Sequence, residues 1–514
     1  MDSRTIDWFL KYLPAPQNFQ KVTESTLRVS FDKADQRVYF VGQAQVKVVS
    51  GSVVICGYLL KPSTPSLYFC SSKSNALLCV EYAPGGAVVE LHSVRNGLER
   101  IQFSQGAFNG ILSVDAEQDV FGLWYLKAPI LADVMLYEPI DQWKGAAAEL
   151  TSQAVPPIIV VCGPRKVGKS SFARFLVNSS LQKYAQVIMM DLDCGQTEFM
   201  PPASVSAKIV TAPLLDPPFT HVGSADLAYF VGATTPSEDY TYYMKCVTSL
   251  IDVAVQRFRG NTPIVINTMG WITGLGLHLL QYILQYIRPS HLIAFEQENN
   301  QCDSFVTRAL YESCPLSNQV KPFDPSEKIA VAYMRPISNE TTAGKIASPG
   351  DLRNLSLWSY MFYDRVHEIY DFDRSLMDFV PYVMPWDPLR VVWSTRRGIG
   401  LRVELTHAVT NVNLVGLAVS NDPNGMPSMI GMGLIRGVNP QQRCYYIISP
   451  LPASLLAQVN CIVLGTASLS PAIIHYRNRQ EGPYMSYVSN GDALGSTARK
   501  VRHNIQRAGH QQNP

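Results

Sequence analysis

An α/β P-loop core, with a parallel sheet covered by helices on both faces and flanked by N-terminal and C-terminal β domains, is the architecture this sequence predicts. Three observations carry it. Residues 22–128 alternate apolar and polar side chains in short runs; fully apolar strands separated by helical patterns begin near Pro156-Pro157; short alternating strands return after residue 370. Size agrees, since 514 residues at roughly 150 per domain give about three domains, with apolar mass for separate cores. The expected bounds are 1–150 for the first β domain, 151–368 for the α/β domain, 369–480 for the second β domain and 481–514 for a basic tail.

In the first stretch, Gln43-Ala44-Gln45-Val46-Lys47-Val48-Val49 has the period of two of a half-buried strand, and Gly51, Gly57, Gly85-Gly86 and Asn96-Gly97 read as turns. Strands of this kind make a sandwich core more often than a ligand site. In the second, Ile158-Ile159-Val160-Val161 and Val187-Ile188-Met189-Met190 are apolar throughout, as strands of a parallel sheet buried on both faces must be. A helix is expected over 170–183, strands at 263–267 and 291–295, and a helix over 277–287 between them. In the third, Leu401-Arg402-Val403-Glu404-Leu405 and Gly431-Met432-Gly433-Leu434-Ile435 read as strands, broken by Asn424-Gly425 and Pro440.

Composition removes several function classes. Charged residues are 16% and hydrophobic ones 47%, which excludes wholesale disorder. Forty-three Lys and Arg against 41 Asp and Glu give a net charge of +2, so a nucleic-acid surface has to be a local patch. Ten cysteines without a C-x-x-C pair read as a reducing compartment without structural zinc. The first eleven residues are unlike a secretory signal, and no apolar run approaches the roughly 18 residues of a membrane span. The expectation is an intracellular, soluble protein with no membrane partner.

The strongest signal is Gly163-Pro164-Arg165-Lys166-Val167-Gly168-Lys169-Ser170, a complete G-x-x-x-x-G-K-S after an apolar strand and opening a helix, with Ser171 next in that helix. Glycines let backbone N–H groups close round phosphates, the helix N-terminus favours negative charge, Lys169 neutralises the β/γ charge and the Ser170 hydroxyl can ligate Mg2+. Arg165 and Lys166, at variable loop positions, are expected to be solvated. The next apolar strand ends in Asp191-Leu192-Asp193-Cys194-Gly195-Gln196. Strand alternation puts Asp191 and Asp193 on one face, at the nucleotide crevice, where one carboxylate can order the metal and the other can take a proton from an attacking hydroxyl. No N-K-x-D or T-K-x-D guanine-reading motif follows, so the nucleotide is expected to be ATP. The loop alone leaves open whether water or an alcohol attacks.

Three stretches together resemble one family: Asp191 to Gln196 above, Asn267-Thr268-Met269-Gly270-Trp271-Ile272-Thr273-Gly274-Leu275-Gly276, and Gly433-Leu434-Ile435-Arg436-Gly437. They look like the polynucleotide 5′-hydroxyl kinases, which include a cleavage and polyadenylation factor subunit and a nucleolar relative in ribosomal RNA processing; Gly433 to Gly437 looks more like the nucleolar branch. The resemblance covers about residues 40–470. It implies ATP on Gly163 to Ser170, Asp193 as general base, Trp271 clasping the RNA end, and Gln196 and Thr235 of Thr234-Thr235-Pro236 near the substrate. It also implies a lid arginine, for which Arg353 is the candidate; Lys345 is the one other cation between Pro336 and Gly350. A stacking aromatic fits sequence-tolerant binding worth about 1–3 kcal/mol per base. Beside these roles stand plainer ones: a core aromatic for Trp271, a surface salt bridge for Arg353, a helix N-cap for Thr235 and packing for His278.

The expected activity is therefore Mg2+-dependent transfer of the ATP γ-phosphate to the 5′-hydroxyl of RNA, in processing of the ribosomal RNA precursor at an internal transcribed spacer, in the nucleus and nucleolus. The resemblance implies an endonuclease partner whose cut leaves that hydroxyl. Arg499, Lys500, Arg502 and Arg507, with no acid from Ala493 to Pro514, make the tail a candidate docking arm. The rivals are a catalytically idle, ATP-bound scaffold and a kinase subunit of the cleavage and polyadenylation type.

Overall fold

Three large sheets follow one another along the chain in the computed structural model, which describes residues 12–101, 108, 110–113, 120, 122–125, 136–137, 140–296, 302–336, 347–394, 413–422 and 425–469. The first has seven strands around two long antiparallel partners, Arg37–Ile55 and Cys79–Ser93. Their length corrects the reading of Gly51 and Gly85-Gly86 as turns. Both lie inside strands, at a bulge where the register slips between Gly51 and Val53. A Cβ on Gly51, whose φ is +70°, would lie 1.8 Å from the Gly86 carbonyl oxygen, so only glycine lets the two backbones meet there. The chain does turn at Gly57.

The central sheet is numbered from its first strand: β1 (Ile158–Cys162), β2 (Val187–Asp191), β3 (Ser204–Val210), β4 (Leu227–Phe230), β5 (Ile264–Asn267), β6 (His291–Phe295) and β7 (Ala330–Met334), in the order β4-β3-β2-β5-β1-β6-β7. The five strands β2, β5, β1, β6 and β7 are mutually parallel, but β3 runs antiparallel to β2 and β4. The sheet is mixed because parallel neighbours need a crossover, and no helix lies between Asp191 and Ser204 to carry the chain back. That direct return keeps Asp191 to Gln196 at the carboxyl end of the sheet.

Helices α1 (Asp141–Ser152), α2 (Lys169–Ser180), α3 (Tyr240–Phe258), α4 (Leu275–Ile287), α5 (Cys302–Tyr311) and α6 (Pro349–Phe362) complete the core. On one face Val160, Ile188 and Ile266 pack with Leu250 of α3 and Ile283 of α4. On the other, Trp143 of α1, Phe172 of α2 and Phe295 of β6 meet edge-to-face, with centroids 5.2–6.3 Å apart. This second cluster runs on without a break into Phe40, Val46 and Val89 of the N-terminal sheet. One core is thus shared where separate cores were expected, because α2 presents apolar residues to the N-terminal sheet as well as to its own. Helix α1 runs across the expected 150/151 boundary.

The third sheet has six strands, from Tyr382–Pro385 to Cys461–Leu464. It docks on β4: Gly416 packs against Phe230, and the Gly232 carbonyl accepts from the N–H groups of Thr466 (2.7 Å) and Ala467 (2.9 Å). Helix α6 is wedged between the domains, Trp358 and Phe362 sharing a cluster with Phe230, Leu98 and Met432. The strand expected at 401–405, Lys345 and the basic tail lie outside the described residues. Among the described residues no helix is long and apolar enough to cross a membrane.

Candidate active site

Strand β1 ends at Cys162 and the chain enters the loop through Gly163, whose φ of +135° and close approach to Phe295 (2.8 Å from a built Cβ) admit no side chain. Gly168, with φ +100°, opens α2. Arg165 and Lys166 are exposed, as expected, and Val167 anchors the loop in the core. Lys169 is buried at 7% exposure, and its Nζ donates to the Pro164 carbonyl at 2.5 Å. Burial lowers its pKa to about 8, against the pull of Asp193, so the ammonium lacks a full counter-charge. Ser170 is half-buried at the first turn of α2. Ser171 borders a small cavity toward the N-terminal sheet, with Cys56, Tyr137 and Arg174.

Because β5 lies between β1 and β2, its last residue stands in register with Val161 on one side and Asp191 on the other. That residue is Asn267. Its Nδ2 donates to Asp191 Oδ1 at 3.0 Å and to Ser170 Oγ at 3.2 Å, while its Oδ1 is buried without a hydrogen-bond partner among the described residues. Sequence reasoning missed it as a site residue, although a polar residue closing the apolar strand Ile264–Asn267 was the signal.

The two acids of the D-x-D are brought together, yet by a turn and not by strand alternation: β2 stops at Asp191, and the Asp193 N–H donates back to Asp191 Oδ1 at 3.3 Å. Asp191 has both oxygens engaged, Oδ2 accepting from the Glu198 N–H at 2.7 Å. Burial raises its pKa well above the usual carboxylate range, helped by the charges of Asp193 and Glu198. Asp193 uses only Oδ1, which accepts from the N–H groups of Gly195 (2.9 Å) and Gln196 (3.1 Å). Its Oδ2 makes no hydrogen bond among the described residues. Burial raises the pKa of Asp193 too, opposed by those N–H groups and by Lys169 and Arg165.

The Asn267 to Gly276 string lies along the P-loop. Thr268 Oγ1 donates to the Val161 carbonyl at 2.8 Å, and a Cβ on Gly270 would fall 2.9 Å from the Arg165 backbone nitrogen. Trp271 is half-buried and leans on Gly276, at the first turn of α4. Met269, Ile272 and Leu275 around it join the apolar cluster of that face, and Trp271 does not. His278 is half-buried.

Gln196 reaches α6, its Nε2 donating to the Pro349 carbonyl at 2.9 Å, so its amide is already committed on one side. Helix α6 begins with a capping box of Ser348 and Asp351. Arg353, one turn in, is half-buried and makes no ion pair or hydrogen bond among the described residues, so the surface salt bridge is not found. Gly195 faces the Thr234 carbonyl, 2.9 Å from a built Cβ, which brings Thr234-Thr235-Pro236 beside the D-x-D turn. Thr235 is not the cap of α3: its Oγ1 pairs with Ser237 Oγ at 2.9 Å, and Asp239 caps the helix through the Tyr242 N–H.

These donors suit a magnesium-bound triphosphate. Among the described residues no group of three or more His, Cys, Asp or Glu side chains could hold a metal alone; magnesium needs only one or two protein oxygens when phosphates supply others. Ser170 and Asp191, linked through Asn267 with its orphan oxygen, offer such a pair of hard oxygens.

Two family models match the chain: the P-loop of the mRNA cleavage and polyadenylation factor CLP1, over residues 163–330, and the NOL9-like C-terminal domain, over residues 377–470. The polynucleotide 5′-hydroxyl-kinase nol9 of Dictyostelium discoideum is 30% identical over 386 residues, covering 60% of this chain and 54% of that protein. The polynucleotide 5′-hydroxyl-kinase NOL9 of Arabidopsis thaliana is 27% identical over 363 residues, covering 67% and 95%. The NOL9 protein of Homo sapiens is 26% identical over 390 residues, covering 66% and 54%. The chain thus spans about half the length of the Dictyostelium and human relatives and nearly all of the Arabidopsis one. Among solved structures, a chain of the wild-type Clp1p–Pcf11p (454–563) complex superposes with a TM-score of 0.56 at 15% identity, covering 87% of this chain and 99% of that one, which shows a common fold. The chain is thus similar to the polynucleotide 5′-hydroxyl kinases of the NOL9/GRC3 type, in its P-loop segment and in its C-terminal segment.

Proposed function

We propose that this protein transfers the γ-phosphoryl group of ATP to the 5′-hydroxyl of RNA, in maturation of the ribosomal RNA precursor in the nucleolus. The observation that carries the reading is the division of labour between the two acids: hydrogen bonds to both oxygens hold Asp191 in place, leaving it a lone pair of Oδ2 for a metal, whereas Asp193 keeps Oδ2 free of hydrogen bonds among the described residues, beside Lys169. Asp193 is then the group that takes the proton from the attacking hydroxyl, and Ser170 and Asp191 are the residues that would hold Mg2+, whose charge offsets the phosphates. Lys169 and the N–H groups of residues 165–170 hold the β- and γ-phosphates. Trp271 stacks on the terminal base, with Gln196 and Thr235 beside it, and Arg353 supplies positive charge to the transferring group. The acceptor is the product of an endonuclease that leaves a 5′-hydroxyl, and that nuclease is the partner.

The full chain with γ-labelled ATP should label a 5′-hydroxyl RNA oligonucleotide and leave its 5′-phosphorylated twin unlabelled. Bound ATP with no label on either would favour the idle scaffold. A DNA oligonucleotide labelled as fast as RNA would remove the RNA preference.

A further inference from the structure

Seven residues beyond Asp191, Glu198 is buried at 3% exposure and belongs to none of the motifs read from the sequence. Its backbone N–H holds Asp191 Oδ2. Its side chain enters a different group of charges, on the far side of the loop. There its Oε1 lies 3.4 Å from Arg174 Nε and 3.3 Å from His221 Nε2. His221 Nδ1 is 3.1 Å from Asp216 Oδ2, which also accepts from the Thr220 hydroxyl, and Arg174 Nη1 donates to the Asp216 carbonyl at 3.2 Å. Burial opposes a charge on His221, yet Asp216 and Glu198 carry its pKa up to about 9. Two cations therefore face two carboxylates inside the protein, and the group is neutral as a whole.

Its position matters more than its charge. Arg174 follows Ser170 by four residues on α2, so the two stand one turn apart on one side of the helix. Glu198 holds Asp191 with a backbone hydrogen bond and faces Arg174, on the helix of Ser170, as an ion pair. The surroundings are braced as well. Asn178 of α2 donates to the Cys56 carbonyl (3.0 Å) and the Leu214 carbonyl (3.1 Å), accepts from the Leu214 N–H (2.7 Å), and the Leu215 carbonyl accepts from the Cys70 N–H (3.1 Å). The loop bearing Asp216 and His221 is thereby tied to both the P-loop helix and the N-terminal sheet.

We infer that Glu198 is a positioning residue for the metal-facing pair, fixing the separation of Asp191 and Ser170 by joining the D-x-D loop to Arg174 and His221. The inference rests on the proposed role of Ser170 and Asp191 toward the metal. The Glu198 carboxylate ends on Arg174 and His221, so it acts through Asp191 and the helix of Ser170. A Gln at 198 keeps the volume and the backbone N–H but leaves Arg174 and His221 facing one carboxylate, so the loop loses its grip on α2.

The test uses the full chain with ADP, and Mn2+ read by electron paramagnetic resonance as the metal probe, so that it does not depend on any phosphoryl transfer. Glu198→Gln should weaken Mn2+ binding by about tenfold, the scale on which residues supporting metal ligands act. Glu198→Asp, which restores the charge on a shorter stem, should fall between the two. ADP affinity without metal should change by less than about twofold, since the P-loop is untouched. Mn2+ affinity equal to wild type in a folded Glu198→Gln protein overturns the inference, even if that protein melts earlier, because a lower melting temperature alone is what a merely structural carboxylate would give. If Glu198→Gln does not fold, His221→Gln carries the same test: weaker Mn2+ binding supports the inference and unchanged binding overturns it. RNA that stays unlabelled while Mn2+ binding responds as stated would leave the positioning role standing and remove the acceptor assignment.

Discussion

Lys169 and Asp193 face the same crevice with opposite requirements, and each gives a separable prediction. Lys169→Ala removes an ammonium whose pKa burial has already lowered to about 8, so the fold should melt no earlier than wild type. Transfer should fall by about 10²- to 10³-fold or more, because a charge aimed at the phosphates is lost; wild-type turnover in this variant would refute the P-loop role. Asp193→Asn should cost about 10²- to 10⁴-fold in kcat with ATP affinity nearly unchanged. Should Asp191→Asn give the larger kcat loss and Asp193→Asn little, the two carboxylates have exchanged roles. His221 gives a pH signature. Its folded pKa, about 9 against an ordinary 6.5, means that its stabilisation is complete below pH 6.5 and is lost as pH rises through about 9. Over that window denaturant titration should show wild type losing on the order of 2 kcal/mol more than His221→Gln; equal losses would count against a charged, paired His221. Residues that act next to their sequence neighbours are legible in the sequence itself: the G-x-x-x-x-G-K-S loop and the D-x-D-x-G-Q turn carry their geometry locally. Arg174, Glu198, Asp216 and His221 are not, because nothing in their spacing shows that β3 folds back to bring 198 and 221 against α2.

At the scale of elements, the string after β5 does two jobs that substitutions can separate. Trp271→Ala removes a half-buried ring outside the apolar clusters, and the RNA KM should rise by about 10- to 100-fold, the worth of one stacked base, with little change in ATP affinity. A sharp drop in melting temperature with an unchanged RNA KM would make Trp271 a packing residue. Gly270→Ala brings a Cβ within 2.9 Å of the Arg165 backbone, which displaces the P-loop and not the RNA side of the site. The ATP KM should rise by about tenfold, or roughly 1.4 kcal/mol; an unchanged ATP KM would mean that the loop gives way without consequence. Continuous apolar strands and their helices were readable because burial on both faces leaves one composition. Strand β3 escaped, since Ser204, Ser206 and Lys208 dilute its apolar residues. Gly51 misled, because a glycine marks a bulge and a turn with the same letter, and only the pairing of two long strands tells them apart.

Over the whole molecule, the domains are joined through backbone contacts that leave no room for side chains. Gly232 has φ +78°, and a Cβ there would lie 2.0 Å from Ser394 Oγ and 2.9 Å from Gly465 Cα. Gly232→Ala should destabilise by about 2–4 kcal/mol and hasten proteolysis of the third sheet before the core is cut; wild-type melting and digestion would show that the junction tolerates the change. The order of the central sheet also bears on the chemistry. Neighbouring strands stand about 4.8 Å apart, so the strand ends that carry the phosphate loop and the acids, with β5 between them, are separated by about 9.6 Å. The sheet is a ruler, and the reaction slot is cut two divisions wide. Hydrogen bonds between main chains set that gauge at the strand ends, so the floor of the slot keeps its width while the loops and helix above it, which side chains such as Glu198 hold, can still shift.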